Sequence, residues 1–188
     1  MYPALILAGG ASKRMGKNKA TMIVEGDPMI VRVAHALRDA GCGLILVAVR
    51  DGHQRQEIMG ALRHLTDVEY ILDNDLERSA KSGLRSALRI CSDRGLERIQ
   101  LAPCDMPWID SRVFERLQGG SRAVIMPRGE HLQPLLSLVD VEVALGALNR
   151  ASIRASLKNT LRTVPNQIID FADNYCFRNV NTPSDLGQ

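Results

Sequence analysis

Residues 5–19 read Leu5-Ile6-Leu7-Ala8-Gly9-Gly10-Ala11-Ser12-Lys13-Arg14-Met15-Gly16-Lys17-Asn18-Lys19. An apolar run, Tyr2 to Ala8, leads directly into adjacent glycines and a basic segment. Glycines let backbone N–H groups approach an anion closely, and successive amides form a nest for phosphate oxygens. Arg14 and Lys19 add charge-assisted donors. Two better-known phosphate loops are excluded. A Walker A loop places four residues between its glycines and follows them with Lys and Ser or Thr. Here five residues separate Gly10 from Gly16, and Lys17 is followed by Asn18. A dinucleotide G-x-G-x-x-G is also missing, because Gly9 and Gly10 are adjacent. The plain alternative is a strand-to-helix loop with solvated lysines; strand, double glycine, Arg-Met-Gly and Lys together favour a triphosphate cradle.

Outward from this loop the pattern alternates. Pro28 to Ala40 has helical periodicity through Ile30, Val33, Ala34 and Leu37, with Gly41 just past its end. Leu44 to Val49 is a continuous apolar run of the kind found in parallel strands covered on both faces. Gln54–Leu65 reads as a helix, Val68–Leu72 as a strand, Ser82–Ser92 as a helix and Arg98–Ala102 as a strand ending at Pro103. Ser111–Leu117 is a further helix and Ala123–Met126 a strand; Leu132–Leu138 is another apolar run. Val141–Asn149 and Ile153–Leu161 read as helices, Arg162–Asp170 as a strand, and Phe177–Leu186 as a strand followed by a capped turn. In that turn Thr182 is the N-cap, Pro183 the first helical residue, and Asp185 stands where a capping box closes. Alternating strands and helices predict an α/β fold with a mostly parallel central sheet and helices on both faces. Ligands of such sheets bind beyond the carboxyl ends of the strands. The loop after the first strand, Asp105 and the Asn179–Asn181 segment all fall there.

The bulk properties fit a small-molecule enzyme. The chain has 188 residues, 45% hydrophobic and 24% charged, with a net charge of +3. There is no block of five basic residues, so nucleic acid is not the expected partner. Apolar runs are far shorter than the roughly 20 residues needed to span a bilayer, and the apolar start lacks a charged signal-peptide region. A cytoplasmic location with no membrane partner is expected. Cys42, Cys91, Cys104 and Cys176 are too dispersed for a metal knuckle or redox pair, and His35, His53, His64 and His131 are scattered. Reduced, packed thiols are expected, Cys104 included.

Four segments, in order, carry a resemblance. L-A-G-G-x-S-x-R-M-G-x-x-K at Leu7–Lys19 resembles the signature of nucleotidyltransferases related to molybdenum cofactor guanylyltransferase, the MobA type. Pro103-Cys104-Asp105-Met106-Pro107 resembles their C-D-M-P metal motif. Gln133-Pro134-Leu135-Leu136-Ser137-Leu138 resembles their Q-P-L stretch, and Phe177–Leu186 their F-x-N-x-N-T-P-x-D-L ending. The resemblance implies a Rossmann-like fold and transfer of GMP from GTP to the terminal phosphate of molybdopterin, with release of pyrophosphate. It implies one nucleotidyltransferase domain over residues 1–188, with nucleotide binding in about 1–105 and acceptor binding in about 106–188. Nucleotide contacts are expected from Leu7, Ala8, Gly9, Gly10, Ser12, Arg14, Met15, Gly16, Lys19, Asp73 and Gly83. Arg14, Lys19 and Asp105 are the expected catalytic groups. Mg²⁺ is expected on Asp105 and Asn181, with Asn179 next in line.

Each of these assignments has an ordinary alternative. Asp before Met-Pro is commonly a turn residue; Asn179 and Asn181 can simply end a strand; Asp73 and Asp75 can be solvated; Trp108 can belong to the core rather than the acceptor site. Two departures bear on the base. The usual G-P-L-x-G-[IL] is replaced by Ser79-Ala80-Lys81-Ser82-Gly83-Leu84, closer to the S-x-x-x-G-L of molybdopterin cytidylyltransferases. Arg50-Asp51 stands where Asn is usual. CTP as substrate, or a cobinamide or lactate phosphate as acceptor, therefore stands beside GTP and molybdopterin. A nucleotide-binding regulator without catalysis is the reading from a different class. Monomer and homodimer are both compatible with the sequence.

Overall fold

The computed structural model describes residues 1–8, 18–72, 79–182 and 184–185. In chain order the elements are β1 (Ala4–Leu7), β2 (Ile23–Val24), β3 (Asp27–Pro28), α1 (Met29–Asp39), β4 (Ile45–Val49) and α2 (Gly52–Ala61). Then come β5 (Val68–Leu72), α3 (Ala80–Asp93), β6 (Arg98–Pro103), α4 (Ser111–Gln118) and β7 (Val124–Arg128). The last are β8 (Leu138–Asp140), α5 (Val141–Arg150), α6 (Leu157–Leu161) and β9 (Asn166–Asp170).

Seven strands form one sheet in the order β5-β4-β1-β6-β8-β7-β9. The β5-β4-β1-β6 block is parallel throughout. β8 is antiparallel to both its neighbours, so β7 and β9 run the same way as β1. Alternation along the strands divides the core. Ala4, Ile6, Ile45, Val47 and Val49 face α1, α2 and α4, whereas Leu5, Leu46, Ala48, Ile99 and Leu101 face α3 and α5. The helices answer with the expected stripes: Ile30, Val33, Ala34 and Leu37 on α1, and Leu84, Ala87, Leu88 and Cys91 on α3. Both faces are thus covered, which is why β4 is buried at all five positions.

The topology locates the site. From β1 the chain moves to β4 and β5 on one side, then crosses to β6 on the other. The order reverses at β1, and open α/β sheets take their ligands in the crevice beyond the strand ends at such a switch point.

One element went unread and three expectations are revised. A β2–β3 hairpin precedes α1; its two-residue turn, Glu25 (φ 50°) and Gly26 (φ 95°), is the mirror-image type that suits a tight hairpin. The apolar run Leu132–Leu138 is broken by Pro134, which starts a 3₁₀ turn (Pro134–Leu136), so β8 begins at Leu138. The helix expected over Ile153–Leu161 is confined to α6, because Ser156 caps it by accepting from Asn159 N, and Ile153 is exposed. No strand forms at Phe177. A 3₁₀ turn (Tyr175–Phe177) is followed by extended chain, tied by Val180 N donating to Asp105 O at 2.9 Å.

The cysteines are free and buried, and no helix among the described residues is long and apolar enough to cross a membrane. Phe114 on α4 is fully buried. Phe114→Ala should cost about 3–5 kcal/mol in urea unfolding, as for other aromatic deletions from a packed core.

Candidate active site

Three distant segments meet at one cation. Lys19 Nζ lies 2.7 Å from Asp105 Oδ2 and 2.9 Å from Asn181 Oδ1. The pair is sheltered, with side-chain exposures of 16% for Lys19 and 26% for Asp105.

Each group is placed by its own local structure. Lys19 opens a 3₁₀ turn (Lys19–Thr21) that buries Ala20 and is capped by Asn18 Oδ1 accepting from Ala20 N. Asp105 leaves the carboxyl end of β6, fixed beside β1 by Cys104 N donating to Leu7 O. Asn181 follows Val180, which is fully buried against Val24 and Met29. Asp185 completes the arrangement: its Oδ2 accepts from Asn181 N at 2.6 Å and from Thr182 N at 2.7 Å. The second of these is the expected capping-box contact; the first aims Asn181. These amide hydrogen bonds hold the Asp185 carboxyl below the usual range. Its anchoring is therefore present above an ordinary carboxylate pKa and is lost as pH falls through the lowered one.

The remaining expected residues fall into two groups. Gly9, Gly10, Ser12, Arg14, Met15, Gly16 and Asp73 lie outside the described residues. Leu7 and Ala8 end β1 at the crevice; Ala8 N donates to Ala48 O at 3.0 Å. Gly83 sits in the first turn of α3, its N–H donating to Ser79 O at 2.9 Å. Asn179 is exposed. The divergent segment before α3 has clear structural work. Ser79 and Ser82 form a reciprocal capping box. Lys81 Nζ donates to three carbonyls, Ser152, Ile153 and Ala155, at 2.8–3.1 Å. Asp51 caps α2 by accepting from Gln54 N, and pairs with Arg50.

Cys104 is buried beside Asp105, and that burial, with the neighbouring carboxylate, pushes its thiol up to about 12. A thiol held neutral in this way is suited to packing and poorly suited to nucleophilic attack. Trp108 is partly buried: its ring leans on the Val24–Met29–Val180 cluster, while Nε1 donates to Glu25 and Arg178 lies over the ring. With Arg32, His35, Asp110 and Tyr175 it lines a groove of about 570 Å³.

Gln54, Asn18 and Glu57 escape a motif-based reading. Gln54 is 2% exposed, its Nε2 2.8 Å from Ala8 O and 3.3 Å from Asn18 Oδ1. Glu57 accepts from Asn18 Nδ2 at 3.0 Å. The available signal was spacing: Gln54, Ile58 and Leu62 are four apart, so Gln54 lies on the buried face of α2.

Cys104 should resist iodoacetamide in the native protein at pH 8, since a thiol with pKa near 12 is only about 10⁻⁴ thiolate there. Mass spectrometry should show it modified only after denaturation, and Cys104→Ser should keep wild-type turnover.

The geometry agrees with the comparisons. Residues 4–167 match the family model described as a MobA-like NTP transferase domain. A probable molybdenum cofactor guanylyltransferase from Haloferax mediterranei is 36% identical, aligned over 97% of this chain and 90% of that one. The molybdenum cofactor guanylyltransferase of Rhizobium meliloti is 29% identical over 99% of this chain and 89% of its own. Among solved structures, molybdopterin-guanine dinucleotide biosynthesis protein A from Archaeoglobus fulgidus superposes with a TM-score of 0.72 at 22% identity, covering 98% of this chain and 95% of that one. A nucleotidyl transferase from Methanothermobacter reaches 0.79 at 17% identity, covering 98% and 94%. The strand that leads into a double glycine, the sheet reversal at β1 and the match over most of its length agree: this chain is an enzyme of the MobA-like NTP transferase family.

Proposed function

We propose that the protein transfers GMP from GTP to the terminal phosphate of molybdopterin and releases pyrophosphate. The observation that carries this reading is the convergence of Lys19, Asp105 and Asn181 at the sheet's carboxyl edge, joined to the names of the relatives. Residues 1–105 form the nucleotide-binding part and residues 106–188 the acceptor-binding part, with Trp108 on the acceptor side.

The reaction is attack by an acceptor phosphate oxygen on the α-phosphorus, with cleavage of the bond to the bridging oxygen of the β-phosphate. It needs positioning and charge compensation more than covalent help. The donor set suits Mg²⁺: Asp105 Oδ2 and Asn181 Oδ1 are hard oxygens that already face a common cation, and Mg²⁺ needs only one or two protein ligands beside water and phosphate. Bound there, Mg²⁺ would supply neutralisation of phosphate charge. Lys19 is the group that exchanges: it compensates Asp105 in the free protein and turns to the phosphates when nucleotide is present. In this reading Arg14 and the amides of residues 9–16 would hold the leaving pyrophosphate, and Asp73 and Gly83 would contribute to nucleotide binding. The working form is a cytoplasmic monomer or homodimer acting on small molecules.

Lys19→Ala should lower turnover about 10²-fold or more, the cost of one preorganised donor; near-wild-type turnover would sink the assignment. Asp105→Ala should abolish Mg²⁺-dependent activity. Calorimetry with the four nucleoside triphosphates and Mg²⁺, followed by pyrophosphate release with molybdopterin, tests the reading as a whole. Selective GTP binding supports it, CTP selectivity moves it to cytidylyl transfer, and binding of none overturns it.

A further inference from the structure

Gln54 is a neutral amide sealed inside a helix otherwise buried only at Ile58, and its side-chain hydrogen bonds reach the edge of the candidate site. Its Oε1 accepts from Arg50 N at 2.7 Å. Its Nε2 donates to Ala8 O at 2.8 Å and to Asn18 Oδ1 at 3.3 Å. The orientation of the amide is unambiguous, because Arg50 offers a backbone donor and Ala8 a carbonyl; a flipped amide would set oxygen against oxygen and N–H against N–H. Ala8 and Asn18 flank residues 9–17, and Arg50 follows β4. One side chain therefore ties the chain entering the glycine-rich segment, the chain leaving it, and the neighbouring strand. The Oδ1 of Asn18 that receives the Gln54 bond also caps Ala20 N, at the turn that carries Lys19. Glu57, one turn further along α2, fixes the other end of the same Asn18 amide at 3.0 Å.

We infer that Gln54 is a positioning residue for Lys19: it buckles the two ends of the glycine-rich segment and, through Asn18, sets the turn from which the Lys19 ammonium reaches Asp105 and Asn181. The inference rests on the transferase reading only for its kinetic consequence. A buried donor left without a partner is costly, whereas a buckle removed as a whole frees the groups it held. Gln54→Met keeps length and bulk while removing all three hydrogen bonds. Ile58→Ala, on the same helix and also buried, loosens the packing of α2 while leaving the three hydrogen bonds of Gln54 in place.

Competitive acetylation of lysines with acetic anhydride, read by mass spectrometry against the exposed Lys158, reports where Lys19 sits with no substrate present. The Lys19-to-Lys158 labelling ratio should rise about threefold or more in Gln54→Met and stay at the wild-type value in Ile58→Ala, both compared below their unfolding transitions. In pyrophosphate release, Gln54→Met should lose about tenfold in kcat, as a catalytic group displaced by a fraction of an ångström does, with the KM for triphosphate changed much less. A folded Gln54→Met protein with an unchanged Lys19 ratio overturns the inference, as does an equal rise in both variants. If wild type releases no pyrophosphate with any triphosphate, the transferase reading fails while the labelling comparison still decides the role of Gln54.

Discussion

The Lys19 ammonium, shared between the Asp105 carboxylate and the Asn181 side-chain carbonyl, is the contact on which the site depends. It joins positions 86 and 162 residues apart in sequence. A fully exposed ion pair would be worth little, because water screens it and flexible side chains must be ordered to make it; this one is partly sheltered. Here the ordering is done by other parts of the fold. Asn18 caps the turn of Lys19, Cys104 is tied to β1, and Val180 is sunk in a cluster with Val24 and Met29. The three polar ends meet because their backbones are already fixed, so little further ordering is needed for the site to form.

That convergence follows from the sheet. β1 is central and pairs with β4 and β6, the strands on either side of the reversal in strand order. Parallel strands deliver their carboxyl ends to one edge, so Ala8 and Asp105, which follow β1 and β6, lie on the same side of the sheet. Asn181 belongs to no strand. It arrives on extended chain that borrows a single backbone bond from Asp105 O and is trimmed into place by Asp185. The terminal motif thus brings the Asn181 carbonyl to Lys19 without adding a strand to the sheet.

How much of this was legible can be read from particular residues. Continuous apolar runs located β1 and β4, because a strand buried on both faces has no polar side to confuse the pattern. The i, i+3, i+4, i+7 stripe of α1 needed nothing beyond its spacing. Lys19, Asp105 and Asn181 were legible as motif residues, since glycines and hard-oxygen donors near strand ends narrow the chemistry. Their mutual contact was not legible, because it depends on which strands are neighbours. The boundaries that slipped did so where a local hydrogen bond beats periodicity: Ser156 restarts a helix that the apolar spacing would have run through, and Pro134 interrupts a run otherwise suited to a strand. Gln54 stayed hidden for a different reason. A polar residue on the buried face of a helix looks like noise until its partners, Ala8 and Asn18, are known to be adjacent.

The segment Ser79–Leu84 shows how the structure changes the weight of a departure. Read as sequence, its two serines and one lysine suggest altered contacts to the base. In the fold, both serines are taken up in capping α3, and Lys81 points away to the carbonyls between α5 and α6. None of the three is needed by a nucleotide to satisfy its hydrogen bonds, and Ser82 is buried at 1% exposure. A helix N-terminus in this place does favour nearby negative charge and offers oriented amides whatever residues cap it. Replacement of G-P-L by Ser-Ala-Lys therefore exchanges one way of starting a helix for another. It is weak evidence for a change of base, since all three side chains already have partners within the fold.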